Sequence, residues 1–169
     1  MSKITIITGN GKGKTTSALG QAMSAAAAGL RVYIGQFMKQ GDYSEIAMLK
    51  AAFPEILIEQ YDGSMVINRT AKDSDKAQAQ DGLARAAAAV ASGEYDLIVL
   101  DEINVALYLE LIETKQVISL INNRGGASLI LTGRYAAQEI IEKADNAYEI
   151  RQIKHYFNDG VAARKGIEM

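Results

Sequence analysis

The sequence predicts an α/β fold, a doubly wound, mainly parallel sheet of about six strands with helices on both faces. Three observations carry this expectation. Short β-branched runs alternate with helical stretches along the whole chain. Most of those runs are continuously apolar rather than alternating, as strands covered on both faces are. The first run ends in a glycine-rich turn that opens directly into a helix, the context that a phosphate-binding loop requires.

The elements follow in order. Lys3–Thr8 is a strand rich in isoleucine and threonine. After the turn, Thr15–Ala28 reads as a helix, with Leu19, Met23 and Ala26 at helical spacing and Gly29 as its C-cap. Strands are expected over Arg31–Phe37, Ile56–Tyr61, Leu97–Asp101, Ser128–Thr132 and Ala147–Arg151. Helices are expected over about Glu45–Ala52, Lys72–Ser92, Glu113–Asn122 and Ala136–Lys143. The crossovers should be right-handed, with ligands at the carboxyl ends of the strands. The alanine runs Ala25–Ala28 and Ala86–Ala89 fit helix faces lying close to a sheet. No repeat or linker interrupts the pattern, so residues 1–169 are expected to form a single nucleotide-binding domain with one substantial core.

Composition removes several function classes. A net charge of −2 supplies no global basic field, so nucleic acid is not an expected partner. The absence of cysteine excludes disulfides, thiolate metal sites and cysteine catalysis. No apolar stretch reaches membrane-spanning length, and the first strand begins without signal-peptide architecture. A cytoplasmic location is the expectation.

Two constellations carry chemistry. Gly9-Asn10-Gly11-Lys12-Gly13-Lys14-Thr15-Thr16 is a loop of the Walker A kind. Its glycines let backbone N–H groups approach phosphate oxygens, and the following helix offers its N-terminal amides to the same anion. Lys14 adds a point charge and is expected to face solvent. Thr15 supplies a hydroxyl suited to magnesium. The first glycine of the usual pattern is replaced by Thr8. The second constellation is Tyr95-Asp96-Leu97-Ile98-Val99-Leu100-Asp101-Glu102, an apolar strand ending in two carboxylates. This is the Walker B arrangement, in which one acid holds the metal and the other orients a water or a ligand. Together they predict a P-loop NTPase of RecA-like architecture. Arg134, in Thr132-Gly133-Arg134 at another strand end, reads either as a phosphate ligand or as a surface arginine. Lys12 reads either as a phosphate contact or as a solvated side chain. His155 is the chain's one histidine and has no paired carboxylate that would place it in a triad.

These residues resemble the P-loop ATP:cob(I)alamin (corrinoid) adenosyltransferases. The resemblance covers Thr8 to Thr16, Gln36-Phe37-Met38-Lys39, Leu100-Asp101-Glu102-Ile103-Asn104 and Leu131-Thr132-Gly133-Arg134. It continues through Ala144-Asp145, Lys154-His155-Tyr156-Phe157, Gly160-Val161-Ala162-Ala163 and Gly166-Ile167-Glu168, in the same order. The Thr8 replacement is itself part of the family pattern. The resemblance implies a cytoplasmic, often homodimeric enzyme that moves the 5′-deoxyadenosyl group of ATP to the Co(I) centre of a reduced corrinoid and releases triphosphate. It implies Mg2+ or Mn2+, and a reductase or flavoprotein that supplies electrons. It places the triphosphate on Gly9 to Thr16 and the metal on Thr15 and Glu102, with Asp101 beside them, and it gives ATP a reversed polarity over the loop that exposes C5′. Two family features are missing. Only two residues precede Lys3, and the loop Gly63-Ser64-Met65-Val66-Ile67-Asn68-Arg69 has no tryptophan. Met65, Val66 and Ile67 are the candidates there for the corrinoid contact, against the reading that they pack into the core.

Two other readings compete with adenosyl transfer. One is a nucleotide-dependent switch ATPase, whose extra lysine would stand where Gly9 does. The other is a small-molecule kinase; the thymidine kinases among them need a cysteine-bearing lobe that this chain lacks. The phosphate product separates all three.

Overall fold

The computed structural model describes residues 2–39, 41, 43–61 and 71–154. Strands and helices alternate: β1 (Ile4–Thr8), α1 (Lys14–Ala27), β2 (Val32–Phe37), α2 (Ser44–Ala52), β3 (Leu57–Tyr61), α3 (Asp73–Ser92), β4 (Leu97–Asp101), α4 (Ile103–Tyr108), α5 (Thr114–Asn122), β5 (Ser128–Thr132), α6 (Gln138–Ile141) and β6 (Asn146–Glu149). The six strands form one sheet in the order β3-β2-β4-β5-β1-β6, and every pairing is parallel. This is the doubly wound α/β fold of a P-loop NTPase. One strand, β5, separates β1 from β4.

Period-two alternation assigns each strand's side chains to two faces. Ile7, Val32, Ile34, Val99 and Ile130 pack with α1 and α2. Ile6, Tyr33, Phe37, Ile98, Leu100 and Leu129 pack with α3, α4 and α5. Every residue of β2 and β4 is buried, which explains why those runs are continuously apolar until they reach the functional edge. The edge strand β6 is exposed throughout. On α3, Ala86 and Ala89 are buried while Ala87 and Ala88 face solvent, so the alanine run serves one face.

Two local devices fix the helices near the sheet. At the end of α1, Gly29 takes φ 82, its N–H bonds to Ala26 O at 2.8 Å, and Leu30 N–H bonds to Ala25 O at 3.0 Å. That is a Schellman closure; Ala28 is the cap, and the expected glycine lies one residue beyond it. Between β2 and α3, a Cβ on Gly35 would lie 2.4 Å from the Tyr61 hydroxyl, and one on Gly82 would lie 2.5 Å from the Tyr61 ring. Those two glycines admit the ring.

Two elements differ from expectation in their ends, and one helix is additional. α6 is four residues long, not the eight of Ala136–Lys143, and β6 ends at Glu149. The short helix α4 was not expected. Its Ile103, Val105, Ala106 and Leu107 are all buried, so the apolar run of β4 continues into it with no change of composition to mark a boundary.

Candidate active site

The loop between β1 and α1 holds its shape through glycine and through Lys14. Gly13 caps α1 with φ 111, which favours glycine, and accepts the Ser17 N–H at 2.8 Å. Lys14 does not face solvent. It is 6% exposed, and its Nζ donates to Gly11 O at 2.8 Å, closing the loop on itself. Burial pushes the Lys14 ammonium below its ordinary pKa, Glu102 and Asp101 oppose this, and Arg134 and Lys39 add to it. Lys12 and Asn10 lie exposed at the rim.

Gly9 and Gly11 owe their identity to the segment after β6. A Cβ on Gly9, where φ is 108, would come 2.3 Å from Ile150 O. Gly11 donates its N–H to Ile150 O at 2.7 Å, and Ile150 N–H in turn bonds Thr8 O at 2.8 Å. In this structure the Gly11 amide is therefore turned to the chain itself rather than to the interior of the loop.

The strand ends opposite the loop form a transverse polar row on the α1 side of the sheet. Gln36 pairs in register with Gln60 on β3 and with Asp101 on β4. Asp101 is fully buried. Its Oδ1 accepts from the Thr15 hydroxyl at 2.9 Å and the Thr132 hydroxyl at 2.5 Å. Its Oδ2 accepts from Gln36 Nε2 at 2.9 Å and Lys39 Nζ at 2.7 Å. Burial pushes this carboxyl up, but the Lys39 ammonium and the hydrogen bonds from Lys39, Thr132 and Gln36 outweigh it and hold the pKa below the usual range. Gln60 holds Gln36 in turn, donating to its Oε1 at 3.1 Å.

Glu102 stands beside this row with a different environment. Its φ of 62 ends β4 abruptly, and its N–H is held by Thr132 Oγ1 at 3.0 Å. Burial and the neighbouring Asp101 raise its carboxyl pKa, opposed by Lys39, Lys14 and Arg134. Among the described residues, no side chain donates a hydrogen bond to its carboxylate. Two adjacent acids are thus driven apart, one firmly ionised and saturated, the other poised for a partner. Arg134 follows the end of β5 at this same sheet edge, near enough to act electrostatically on both Lys14 and Glu102. A cleft of about 630 Å³ runs from Gly13, Thr15 and Glu102 past Lys39 to Tyr43 and Met48.

The structure therefore brings together Lys14, Thr15, Asp101, Glu102 and Arg134. Sequence reasoning gave no role to Lys39, Gln36 or Thr132. The available signal was position, because Gln36 and Lys39 flank the carboxyl end of β2 as Asp101 does that of β4. Asn104 is also buried at 0% exposure, and neither atom of its side-chain amide has a partner among the described residues. The corrinoid candidates Met65, Val66 and Ile67 lie outside the described residues, as do residues 155–169 with His155. Among the described residues, no group of three or more histidine, cysteine, aspartate or glutamate side chains gathers as a metal site, and no helix is long and apolar enough to cross a membrane.

The model of the family "ATP:corrinoid adenosyltransferase BtuR/CobO/CobP" matches residues 1–169. The chain belongs to this family. The corrinoid adenosyltransferase of Pseudomonas aeruginosa is 34% identical over 162 residues, covering 95% of the chain and 80% of that protein. The corrinoid adenosyltransferase of Escherichia coli K12 is 32% identical over 168 residues, 98% of the chain and 84% of that protein. An uncharacterised protein of Nostoc sp. is 35% identical over 182 residues. That alignment covers 99% of the chain but only 48% of the Nostoc protein, so the chain spans about half of that relative. In this adenosyltransferase-family chain, the four blocks Thr8–Thr16, Gln36–Lys39, Leu100–Asn104 and Leu131–Arg134 meet at the carboxyl edge of a single sheet, at the ends of β1, β2, β4 and β5.

Proposed function

We propose that this site transfers the 5′-deoxyadenosyl group of ATP to the Co(I) centre of a reduced corrinoid. The observation that carries the reading is the bond from Thr15 to Asp101, at 2.9 Å, which ties the loop hydroxyl to the strand-end acids, with Thr15 and Glu102 lining the cleft. Family membership selects adenosyl transfer over a switch ATPase or a kinase. A bond forms between cobalt and C5′, the C5′–O bond breaks, and the electron pair leaves on the triphosphate. Cobalt supplies the pair that forms the Co–C5′ bond, so no protein nucleophile is required. The protein's part is alignment of the reacting atoms and stabilisation of the leaving charge.

Each residue has a role in this reading. The loop Gly9 to Thr16 holds the triphosphate, with Lys14 and Arg134 as its cations. The residues present also fit Mg2+ or Mn2+. Thr15, Glu102 and Asp101 offer hard oxygen donors, and few protein ligands suffice where phosphates complete the shell. The Lys39 ammonium already rests between Thr15 Oγ1, at 3.2 Å, and Asp101 Oδ2, so the seat accepts a cation. Such a metal would neutralise charge on the departing triphosphate. The corrinoid is read against Met65, Val66 and Ile67, whose bulk would displace its lower ligand. Tyr61, the last described residue before that segment, ends β3 at the same sheet edge. A reductase or flavoprotein partner, a homodimer, a single domain and a cytoplasmic location complete the proposal.

Incubating the protein with ATP, magnesium and chemically reduced cobalamin tests it. Conversion of the corrinoid spectrum with release of intact triphosphate is the expected result. Orthophosphate release without corrinoid alkylation would mark a switch ATPase, and ADP with a phosphorylated small molecule a kinase.

A further inference from the structure

The most heavily used acid in the site is held by a lysine that the reaction does not call for. Lys39 Nζ lies 2.7 Å from Asp101 Oδ2 and 3.2 Å from Thr15 Oγ1. Those are two of the groups assigned to the metal above. The lysine side chain is 17% exposed, and Asp101 is wholly enclosed. An ammonium is a compact cation with three donors, and here it fills a pocket of oxygens. A divalent ion and the ammonium cannot share that pocket, because like charges at contact distance repel strongly where water is excluded.

We infer that Lys39 is a built-in surrogate for the divalent cation. It occupies the seat between Thr15 and Asp101 while no nucleotide is bound, and it yields that seat only to a metal that arrives with triphosphate. The inference rests on the functional reading above and adds a specificity device to it: bare metal is refused, and metal–nucleotide is accepted. The exchange balances in charge. The incoming polyphosphate brings the anions that the displaced ammonium can pair with, whereas a bare cation would take Asp101 from Lys39 and add positive charge beside Lys14. Met38 has φ 53 and Gly41 has φ 125, so two residues beside Lys39 take left-handed backbone. Lys39 is paired with Asp101 and lies 5.8 Å from the centre of the Tyr43 ring, and Gly41 O accepts from Gln60 Nε2 at 3.2 Å and from the Tyr43 N–H at 3.1 Å.

The test uses Mn2+ as probe, counted by the paramagnetic resonance of the free ion, with and without ATP and in the absence of corrinoid. Lys39→Gln removes the charge and keeps a donor for Asp101; Lys39→Arg keeps the charge. Without nucleotide, the wild type and Lys39→Arg should bind Mn2+ weakly, and Lys39→Gln at least about tenfold more tightly. A second reading comes from melting temperature: Mn2+ alone should raise that of Lys39→Gln and leave the wild type unmoved. If Lys39→Gln gains neither affinity nor Mn2+-dependent stability while it and the wild type both bind Mn2+-ATP, the surrogate role is overturned and the functional reading stands. If the wild type does not bind Mn2+-ATP at all, the functional reading fails and this inference with it.

Discussion

Gly11 donates its backbone N–H to the carbonyl oxygen of Ile150 at 2.7 Å, so the start of the phosphate loop is stitched to the segment that leaves β6. A Cβ on Gly11 would meet Ile150 Cγ2 at 2.7 Å, Ile150 O at 2.8 Å and the Arg151 carbonyl carbon at 2.9 Å. Backbone atoms cannot give way as a side-chain tip can. Gly11→Ala should therefore cost about 1–3 kcal/mol, the range for overpacking, and should speed proteolysis after Arg151. Thermal melts and a limited tryptic digest check this; an unchanged melt would show that the contact is loose.

Lys14 is proposed as a triphosphate ligand on its place in the loop motif, but its burial is not legible in the sequence. Burial lowers its pKa, which means the folded state binds that proton less tightly than the unfolded state. The charged ammonium is then a liability of the nucleotide-free protein, relieved as pH rises toward the ordinary lysine range. Lys14→Met should raise the melting temperature of the free protein and abolish the further rise that Mg-ATP gives the wild type. A variant still stabilised by Mg-ATP would remove Lys14 from the triphosphate.

Asp101 and Glu102 are adjacent in sequence, and their predicted roles differ. Asp101→Asn leaves the Lys39 ammonium without its buried partner, and breaking one side of such a pair costs about 3–5 kcal/mol. Its pKa is held low in the fold, so its contribution is present above the unfolded carboxylate range and is lost as pH falls through the folded value. Acid unfolding of the wild type should accordingly be steeper than that of Asp101→Asn. Glu102→Gln should not destabilise the free protein, because burial already disfavours its charge. It should instead raise the magnesium concentration needed for half-maximal turnover, since a neutral amide binds a hard dication more weakly. An unchanged magnesium curve would shift that acid's role to Asp101 or dismiss the strand-end acids as metal ligands.

The proposed nucleotide half of this site is legible in the sequence because its chemistry is local. Gly9 to Thr16 is contiguous, and Asp101–Glu102 follows a plainly apolar strand. What stayed hidden is assembled across the sheet. Gln36 and Thr132 meet Asp101 only because strand register sets them in one row, from positions 65 and 31 residues away. The reason for Gly9 and Gly11 was likewise out of reach, since it lies in a contact with Ile150. α4 was missed because a buried six-residue helix following a buried strand carries no periodicity to separate them.

The last prediction concerns the phenols under β3. Tyr33 donates to Glu59 Oε2 at 2.6 Å and meets the Tyr61 hydroxyl, while Arg85 pairs with Glu59 Oε1 at 2.8 Å and lies 5.2 Å from the centre of the Tyr61 ring. Burial pushes both phenols above their ordinary pKa, and for Tyr33 the proximity of Tyr61 and Glu59 pushes further. A group whose folded pKa is raised contributes stability that is fully present below its unfolded value, about 10 for tyrosine, and lost as pH climbs past it. The wild type should thus lose stability steeply above pH of about 10, and the two phenols should ionise only as the chain unfolds, read as a rise in absorbance near 295 nm that coincides with loss of helical circular dichroism. Tyr33→Phe with Tyr61→Phe keeps both rings, including the one seated against Gly35 and Gly82, and removes both titrating groups. That double variant should show a flatter fall in melting temperature between about pH 9 and pH 11. If its alkaline profile superimposes on that of the wild type, the two phenols titrate in the fold as they do in the unfolded chain, and their burial contributes nothing to the alkaline loss of stability.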